Sequence, residues 1–164
     1  MKLKCCFGNK SPACPPEPSP VPEERPDFFA QFGVTGNPES GSALPLIQLF
    51  NVGEGIRLEN DTEIILEPGW LYLVDYIFLA TPEPGGYMQI IPRINGSLRG
   101  LYSFFAPAGD ERNTSASGSF TTNEAAASQA RLSFALTYPE TAGNIDISGA
   151  VSVTPLMKIT GGPA

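Results

Sequence analysis

The clearest pattern of hydrophobic and polar positions lies between residues 70 and 80, WLYLVDYIFLA. Side chains of a β-strand point alternately to opposite faces, so a strand with one wet face alternates apolar with polar residues. Here both faces are apolar. The even-numbered side starts at Trp70, and Asp75 alone interrupts the odd-numbered side, which is Leu71, Leu73, Asp75, Ile77 and Leu79. The pattern predicts a strand whose even side packs on its own core and whose odd side packs on further copies of the chain.

Short apolar runs bounded by Gly, Pro, Asn and Asp continue this pattern, and few stretches have a 3.6-residue period. We predict strands at residues 43–51, 56–59, 62–66, 70–80, 87–94, 97–106, 115–122, 131–138 and 145–159. Asn95-Gly96 is a hairpin signal, and Pro155 predicts a bend or an edge. Residues 124–129 fit either one helical turn or a loop.

Roughly eight to ten short strands with turns between them are typical of an all-β protein. We predict a jelly-roll sandwich of two antiparallel sheets over residues 41–164. An eight-stranded up-and-down barrel is the alternative, but it needs no partner and leaves the doubly apolar strand unexplained.

Residues 1–40 differ from the rest, with seven prolines between Pro12 and Pro26. Such a run cannot form ladders or a core and predicts an extended or disordered tail. All three cysteines lie there: Cys5, Cys6 and Cys14. Their odd number leaves at least one without a partner in its own chain, which favours an interchain disulfide that anchors the tail, or free thiols, over a metal site. A cluster of Phe28, Phe29 and Phe32 is expected to dock on the domain.

Charge and composition exclude several functions. A net charge of −7 and a pI near 4.5 disfavour nucleic acid and anionic membranes as partners. The absence of histidine removes Ser-His and Cys-His nucleophiles and the commonest zinc ligand. No segment reaches the roughly 20 apolar residues of a membrane span, and the start MKLKCCFGNK lacks the apolar core of a cleaved signal peptide.

The acidic residues in turns are the remaining candidates for chemistry. Glu59 with Asp61, or Asp110 with Glu111, could pair as in a glycosidase, and Asn60, Asp61 and Glu63 could offer oxygen ligands to calcium. Acids are common in turns for local reasons, and no spaced ligand pattern accompanies them. We therefore predict no enzyme activity, no catalytic residues, no metal and no cofactor. The motifs at Asn60, Asn95 and Asn113 that match N-glycosylation sites carry little weight.

Asp75 has two interpretations. It lies at a hydrated rim of the interface, or it joins a polar ring around a symmetry axis, with Arg93, Arg99 or Arg131 as candidate partners. Most aromatic residues are expected in the core, and only those at loop tips, such as Tyr87, are plausible contacts for a ligand.

Five blocks together resemble a known bacterial family: NVGEGIRLENDTEIILEPGWLYLVDY, GGYMQIIPRING, SASGSF, ARLSFALTY and VSVTPLMKI. They are similar to the C-terminal domain of collagen-like surface proteins of spore formers and their phages, the BclA type. The resemblance covers about residues 41–160 and implies a jelly roll like those of complement and tumour necrosis factor (TNF). It further implies two five-stranded sheets, with the inner sheet of each protomer facing the threefold axis of a homotrimer. The Gly-X-Y repeats that usually precede such domains do not occur here.

The resemblance carries structural motifs and no active site. It leads us to expect a homotrimeric head on a spore surface (exosporium) or a virion, tethered to a larger assembly by its tail and reaching the outside without a cleaved signal peptide. A tip that binds a host glycan or receptor, as in an adhesin or tail fibre, through residues 81–87 and 106–113 is the alternative.

Overall fold

A computed structural model describes residues 26–143 and 145–159. The predictions for Cys5, Cys6 and Cys14 fall outside the described residues. Within them lie eleven strands and two short 3-10 helices. The strands are β1 (Phe29–Gly36), β2 (Ile47–Val52), β3 (Ile56–Glu59), β4 (Glu63–Leu66), β5 (Trp70–Ala80), β6 (Tyr87–Ile94), β7 (Ser97–Leu98), β8 (Phe104–Pro107), β9 (Thr114–Thr122), β10 (Ala130–Thr137) and β11 (Ile147–Lys158). The helices are η1 (Gly100–Tyr102) and η2 (Glu140–Ala142).

The strands form two antiparallel sheets, which confirms the jelly-roll prediction. One sheet has five strands in the order β2-β1-β11-β5-β9. The other has six, in the order β3-β4-β10-β6-β7, with β8 also paired to β6. Strands that are neighbours in a sheet come from distant parts of the chain, as they do in a sandwich with long crossovers rather than in a meander. The strand at the centre of this arrangement is β5.

The even-numbered side of β5 is core, as the sequence predicts. Tyr72, Val74 and Phe78 are fully buried. The rings of Tyr76 and Phe78 each lie less than 6 Å from that of Phe134 on the opposite sheet, at 5.4 and 5.7 Å between centroids. These edge-on contacts join the two sheets at the middle of the sandwich.

The first strand lies earlier than predicted. Strands were expected from residue 43, and residues 1–40 were assigned to the tail, but β1 occupies Phe29–Gly36 and pairs with both β2 and β11. The tail assignment therefore does not extend to this strand. The predicted docking of the phenylalanine cluster is confirmed for two of its three members: Phe32 is fully buried, and the Phe28 ring meets that of Trp70 edge-on at 5.2 Å. Phe29 lies on the outward side of β1, with its ring 6.0 Å from that of Phe50.

A second difference concerns the predicted strand 97–106. It is interrupted by η1 and becomes the short strands β7 and β8, so this sheet has six strands rather than the five that the resemblance implied. Residues 124–129 form turns and bends, which confirms the loop interpretation. The Asn95-Gly96 hairpin is confirmed, with both residues at positive φ between β6 and β7. The register of β11 against β5 shifts between Pro155 and Met157, the bend expected at that proline.

Gly149 of β11 provides a test of the packing against β5. A Cβ at this position would lie 2.2 Å from the carbonyl oxygen of Ile77 and 2.7 Å from Cδ1 of Phe78. Because the nearest atom is backbone in a paired strand, it cannot rotate away. We expect Gly149→Ala to lower the free energy of unfolding by about 1–3 kcal/mol or more.

The measurement is urea unfolding followed by circular dichroism at one protein concentration. Ser148→Ala, an exposed neighbour on the same strand, serves as the control and should change stability by less than about 0.5 kcal/mol. Equal stability of the two variants would show that β5 and β11 are less closely packed than described.

Candidate functional site

The outward face of the five-stranded sheet carries exposed apolar side chains. We call it the five-stranded face. The row along β5 consists of Leu71, Leu73, Asp75, Ile77 and Leu79. Ile77 is 58% exposed and Leu79 51% exposed, although both belong to the strand that holds the core together on its other side. The structure thus places all five predicted interface residues on one exposed face, and their role in assembly stays a prediction.

Small side chains flank this row on both sides. Ile77 lies between Ala150 of β11 and Ser117 of β9 in the paired register. Most other outward positions on the two strands are also small: Ser115, Ser119, Thr121, Ser148, Ser152 and Thr154. Met157 of β11, beside Leu71, is the large exception and is 56% exposed. The leucines and isoleucine of β5 therefore project beyond their neighbours, and another surface can approach the sheet closely.

The apolar surface continues onto β1 and β2, and this extension was not predicted. Residues of β2 are exposed although apolar: Ile47, Leu49, Phe50 and Val52. The Phe50 ring packs against that of Phe29 at 6.0 Å, and Leu49 lies over Gly33, where a Cβ would come within 3.1 Å of it. The apolar residues of the run ALPLIQLF are visible in the sequence. Their exposure depends on pairing with β1, a strand that was not predicted.

A row of polar side chains crosses the middle of this face. In the paired register, Gln31 of β1, Ser152 of β11, Asp75 of β5 and Ser119 of β9 lie side by side. The Gln31 amide donates to the Ser152 hydroxyl at 3.2 Å. We call these four residues the polar row. They line a shallow depression of about 450 Å³ whose other walls include Ile77, Ser117 and Ala150.

Two of the three arginines considered as partners of Asp75 pair with other carboxylates. Arg131 lies on the other sheet and donates to Glu59 at 2.8 Å and Glu63 at 2.7 Å. Arg99 pairs with Glu124 beside η1. Arg93 belongs to β6 of the six-stranded sheet, cross-strand from Leu98. Within one protomer, no arginine of the described residues pairs with Asp75, and pairing with an arginine of another copy stays a prediction.

The carboxylates proposed for chemistry are likewise accounted for. The hydrogen bond that Arg131 donates to Glu63 and the charge of Glu59 raise the pKa of Arg131, and the three side chains form an ion cluster on the surface. Because both carboxylates pair with Arg131, we assign neither Glu59 nor Glu63 to a catalytic pair or a calcium site. Asp110 and Glu111 are exposed on a loop. The described part of the chain contains no group of three or more acidic, cysteine or histidine side chains placed to hold a metal.

A second apolar surface lies at the edge of the molecule around η1. We call it the edge patch, and its residues are Leu98, Leu101, Phe104 and Phe105. Leu101 is 96% exposed, close to the maximum for a leucine. This patch was not predicted, because residues 97–106 were expected to form one continuous strand.

The edge patch is attached to the core through two tyrosines. Tyr102 stacks on Phe120 of β9, with ring centroids 4.4 Å apart. The Tyr76 hydroxyl donates to the Tyr102 carbonyl at 2.7 Å, and burial raises the pKa of Tyr76, so the phenol keeps the proton it donates. Gly118 leaves space for this phenol, because a Cβ there would lie 2.5 Å from the Tyr76 hydroxyl oxygen.

The two loops predicted as contact loops meet at one end of the sandwich. The Gly85 amide donates to the Gly109 carbonyl at 3.1 Å, and the Ala108 amide donates to the Gly86 carbonyl at 2.9 Å. Arg112 and Glu83 form an ion pair at 3.0 Å across them. Tyr87 lies beside this site, with its ring 4.7 Å from that of Phe105.

Within residues 26–143 and 145–159, no helix has the length and apolar character needed to cross a membrane.

Comparison with solved structures identifies the fold. Eiger TNF from S. frugiperda matches 85% of this chain and 99% of its own, with a TM-score of 0.52 and 9% identity. The globular domain of zebrafish complement 1qA matches 79% of this chain and 98% of its own, with a TM-score of 0.51 and 8% identity. The domain therefore has the TNF/C1q-like jelly-roll fold. No protein-family model and no curated protein sequence matches the chain.

The link between Tyr76 and η1 can be tested by Tyr76→Phe. Loss of the hydroxyl leaves the Tyr102 carbonyl without its donor and should cost about 1 kcal/mol. Amide hydrogen exchange should therefore become faster at residues 100–103. Tyr138→Phe is the matched control, since it removes a hydroxyl that donates to the Pro38 carbonyl at 2.9 Å far from η1. If both variants leave exchange at 100–103 unchanged, Tyr76 does not hold the edge patch in place.

Proposed function

We propose that this domain is a non-enzymatic structural head that assembles into a homotrimer through the five-stranded face. The observation that carries the proposal is the row of outward aliphatic residues along β5, with Leu71 and Leu73 half-buried and Ile77 and Leu79 exposed, on the strand whose opposite side is the centre of the core. Monomeric proteins rarely expose a large contiguous apolar surface, because water contact is unfavourable and the surface promotes association. The resemblance to trimeric BclA-type domains supports three copies as the stoichiometry.

The energies are consistent with assembly through this face. Complete burial of four fully exposed aliphatic side chains would stabilise a complex by about 6–12 kcal/mol per copy. Leu71 and Leu73 are already half-buried, and Ile77 and Leu79 are 58% and 51% exposed, so the β5 row contributes only part of that. Association costs about 4–15 kcal/mol in lost freedom, so further apolar contacts are needed. The exposed residues of β2 and the edge patch supply them.

The two apolar surfaces indicate how the copies are arranged. The five-stranded face and the edge patch lie at different places on one protomer, so a twofold axis that packs one of them on its own copy leaves the other exposed. An interface between two different surfaces repeats from copy to copy and closes into a ring when the rotation allows. We propose that the edge patch of one copy packs on the five-stranded face of the next, and that three copies close the ring.

The location of the trimer belongs to the same proposal. The BclA-type resemblance supports a spore surface or a virion, with the head tethered to a larger assembly by the N-terminal segment. Cys5, Cys6 and Cys14 lie in that segment and are the proposed anchor, through interchain disulfides.

Ile77→Asp tests the proposed interface. A carboxylate in place of an exposed isoleucine should not disturb the fold of the protomer, but it would be buried between copies and should dissociate the trimer. Sedimentation velocity at micromolar concentration measures the result. Ile91→Asp is the control, because it makes the same change on the outward side of β6 in the other sheet and should leave a trimer.

Leu101→Asp tests the edge patch in the same assay and should also dissociate the trimer. A wild-type protein that sediments as a monomer at micromolar concentration would refute the proposed function. A trimer that survives Ile77→Asp would place the interface elsewhere.

A second candidate function is a glycan- or receptor-binding tip, favoured by the contact between loops 81–86 and 107–113. Their backbone hydrogen bonds and the Arg112–Glu83 pair make one continuous surface from two segments. Replacement of residues 108–112 by a Gly/Ser linker of equal length should abolish binding in a glycan array while the oligomeric state is kept. Absence of binding by the wild-type trimer on such an array would leave only the structural role.

A further inference from the structure

We infer that Arg93 of one copy forms an ion pair with Asp75 of the next, and that this pair sets the register of the interface between them. The inference rests on the trimer proposed above, in which the edge patch of one copy covers the five-stranded face of its neighbour. It starts from two side chains of opposite charge, one beside each of these surfaces. Neither forms an ion pair within the described residues of its own protomer.

Asp75 is the charged member of the five-stranded face. It lies between Leu73 and Ile77 on β5. The outward positions of the flanking strands within the described chain carry no charge: Ser115, Ser117, Ser119 and Thr121 on β9, Ser148, Ala150, Ser152, Thr154 and Met157 on β11, and Phe29, Gln31, Gly33 and Thr35 on β1. The β2 residues, IQLFNV, are also uncharged. An apolar surface that covered this face would therefore bury a carboxylate without a counter-charge, which is strongly unfavourable.

Arg93 is the corresponding cation beside the edge patch. It lies on the outward side of β6, directly opposite Leu98 in the paired register. Residues opposite each other in an antiparallel pair have Cβ atoms about 5 Å apart and share one side of the sheet. Any surface that covers Leu98 therefore comes within reach of the long Arg93 side chain. It also removes water from the guanidinium, which then needs a carboxylate in the covering surface.

The other arginines of residues 26–143 and 145–159 already pair with carboxylates. Their ion pairs are Arg57 with Glu67, Arg99 with Glu124, Arg112 with Glu83, and Arg131 with Glu59 and Glu63. If one of them moved to Asp75, it would leave a carboxylate without its cation. Arg93 can pair with Asp75 without the loss of an existing ion pair.

Lys158 lies away from this contact. It belongs to β11 of the five-stranded sheet and not to the strands around the edge patch. Its ammonium group lies 6.0 Å from the centre of the Trp70 ring, and Trp70 is also its partner in the register with β5. Trp70 and Asp75 are five positions apart on β5, about 16 Å at the rise of a strand.

The polar row provides a site that suits a guanidinium. Ser119 and Ser152 lie opposite Asp75 on the two neighbouring strands, and the depression they line has a volume of about 450 Å³. The Gln31 amide donates to the Ser152 hydroxyl, so the side-chain carbonyl of Gln31 is left as a further acceptor. A guanidinium has five N–H donors in a planar fork, which can bind a carboxylate and adjacent oxygens together. Arginine is therefore the cation that matches this row.

The pair would define how the copies meet. In a ring of three, each copy provides Arg93 to one neighbour and Asp75 to the other, so three equivalent pairs form. A shift of two residues along β5, about 7 Å, would place the guanidinium against Leu73 or Ile77. Both charges would then be buried without partners, so the shifted register is disfavoured.

Exchange of the two charges in the full chain tests the pair. Arg93→Asp brings two carboxylates together, and Asp75→Arg brings two guanidinium groups together. Each single variant should weaken the contact about tenfold or more, which is about a thousandfold or more in the trimer association constant because three interfaces change. The double variant Asp75→Arg/Arg93→Asp restores opposite charges and should recover at least about a hundredfold of that loss. Sedimentation equilibrium measures the constants, and circular dichroism confirms the fold of each variant.

Asp75→Arg/Arg99→Asp is the matched control. It reverses the other arginine beside the edge patch, whose partner is Glu124, and should not recover the trimer. A second cycle uses the neutral variants Asp75→Asn and Arg93→Gln, which decide the question if a reversed variant does not fold. Each should weaken the trimer, and their combination should weaken it no further than the larger single effect, because the pair can be lost only once.

The outcomes separate this inference from the proposed function. Wild-type protein that is monomeric at every concentration refutes the proposed trimer and the pair with it. A wild-type trimer with a folded double reversal no tighter than the single variants, or with additive losses in the neutral cycle, refutes only the pair. Recovery by Arg99→Asp in place of Arg93→Asp would refute the role of Arg93 and assign the contact to Arg99.

Discussion

The structure depends on one strand that is apolar on both faces. A strand at the centre of a sandwich needs only one apolar side, because the other normally meets water. In β5 the even side joins the sheets through Tyr76, Phe78 and Phe134, and the odd side carries Ile77 and Leu79 into solvent. The same eleven residues thus form the core with one face and the proposed interface with the other. Small residues on β9 and β11 leave the odd side accessible, and this combination supports the proposal that the five-stranded face is an interface.

Much of the fold could be predicted from the sequence because it depends on interactions between neighbouring residues. The period-two pattern of β5 and the Asn95-Gly96 turn depend only on neighbouring residues, and the predicted bounds of β3, β5 and β6 agree with those observed. The odd-numbered residues of β5 were assigned to the exposed side because two apolar faces cannot both enter one core. Here the pattern was sufficient without knowledge of any partner strand.

The features that were missed depend on distant contacts. β1 follows a proline-rich segment and contains Gly33 and Gly36, so its sequence is weakly strand-like, and it is stabilised by pairing with β11 more than a hundred residues later. The edge patch depends on η1, whose place is set by Tyr76 on β5 and Phe120 on β9. The exposure of Phe50 follows from its register against Gln31. A short window of sequence predicts none of these contacts, because each joins residues that are far apart in the chain.

Asp75 shows why an interface of this kind does not simply maximise apolar contact. A fully aliphatic β5 row would bind any apolar surface, including that of unfolded chains, and a sheet offers no fixed register along a uniform apolar stripe. In the proposed interface, a polar row at the midpoint disfavours registers that bury Asp75 against an apolar surface of the neighbouring copy. The aliphatic residues would then provide affinity, and the Gln31–Ser152–Asp75–Ser119 row would provide specificity.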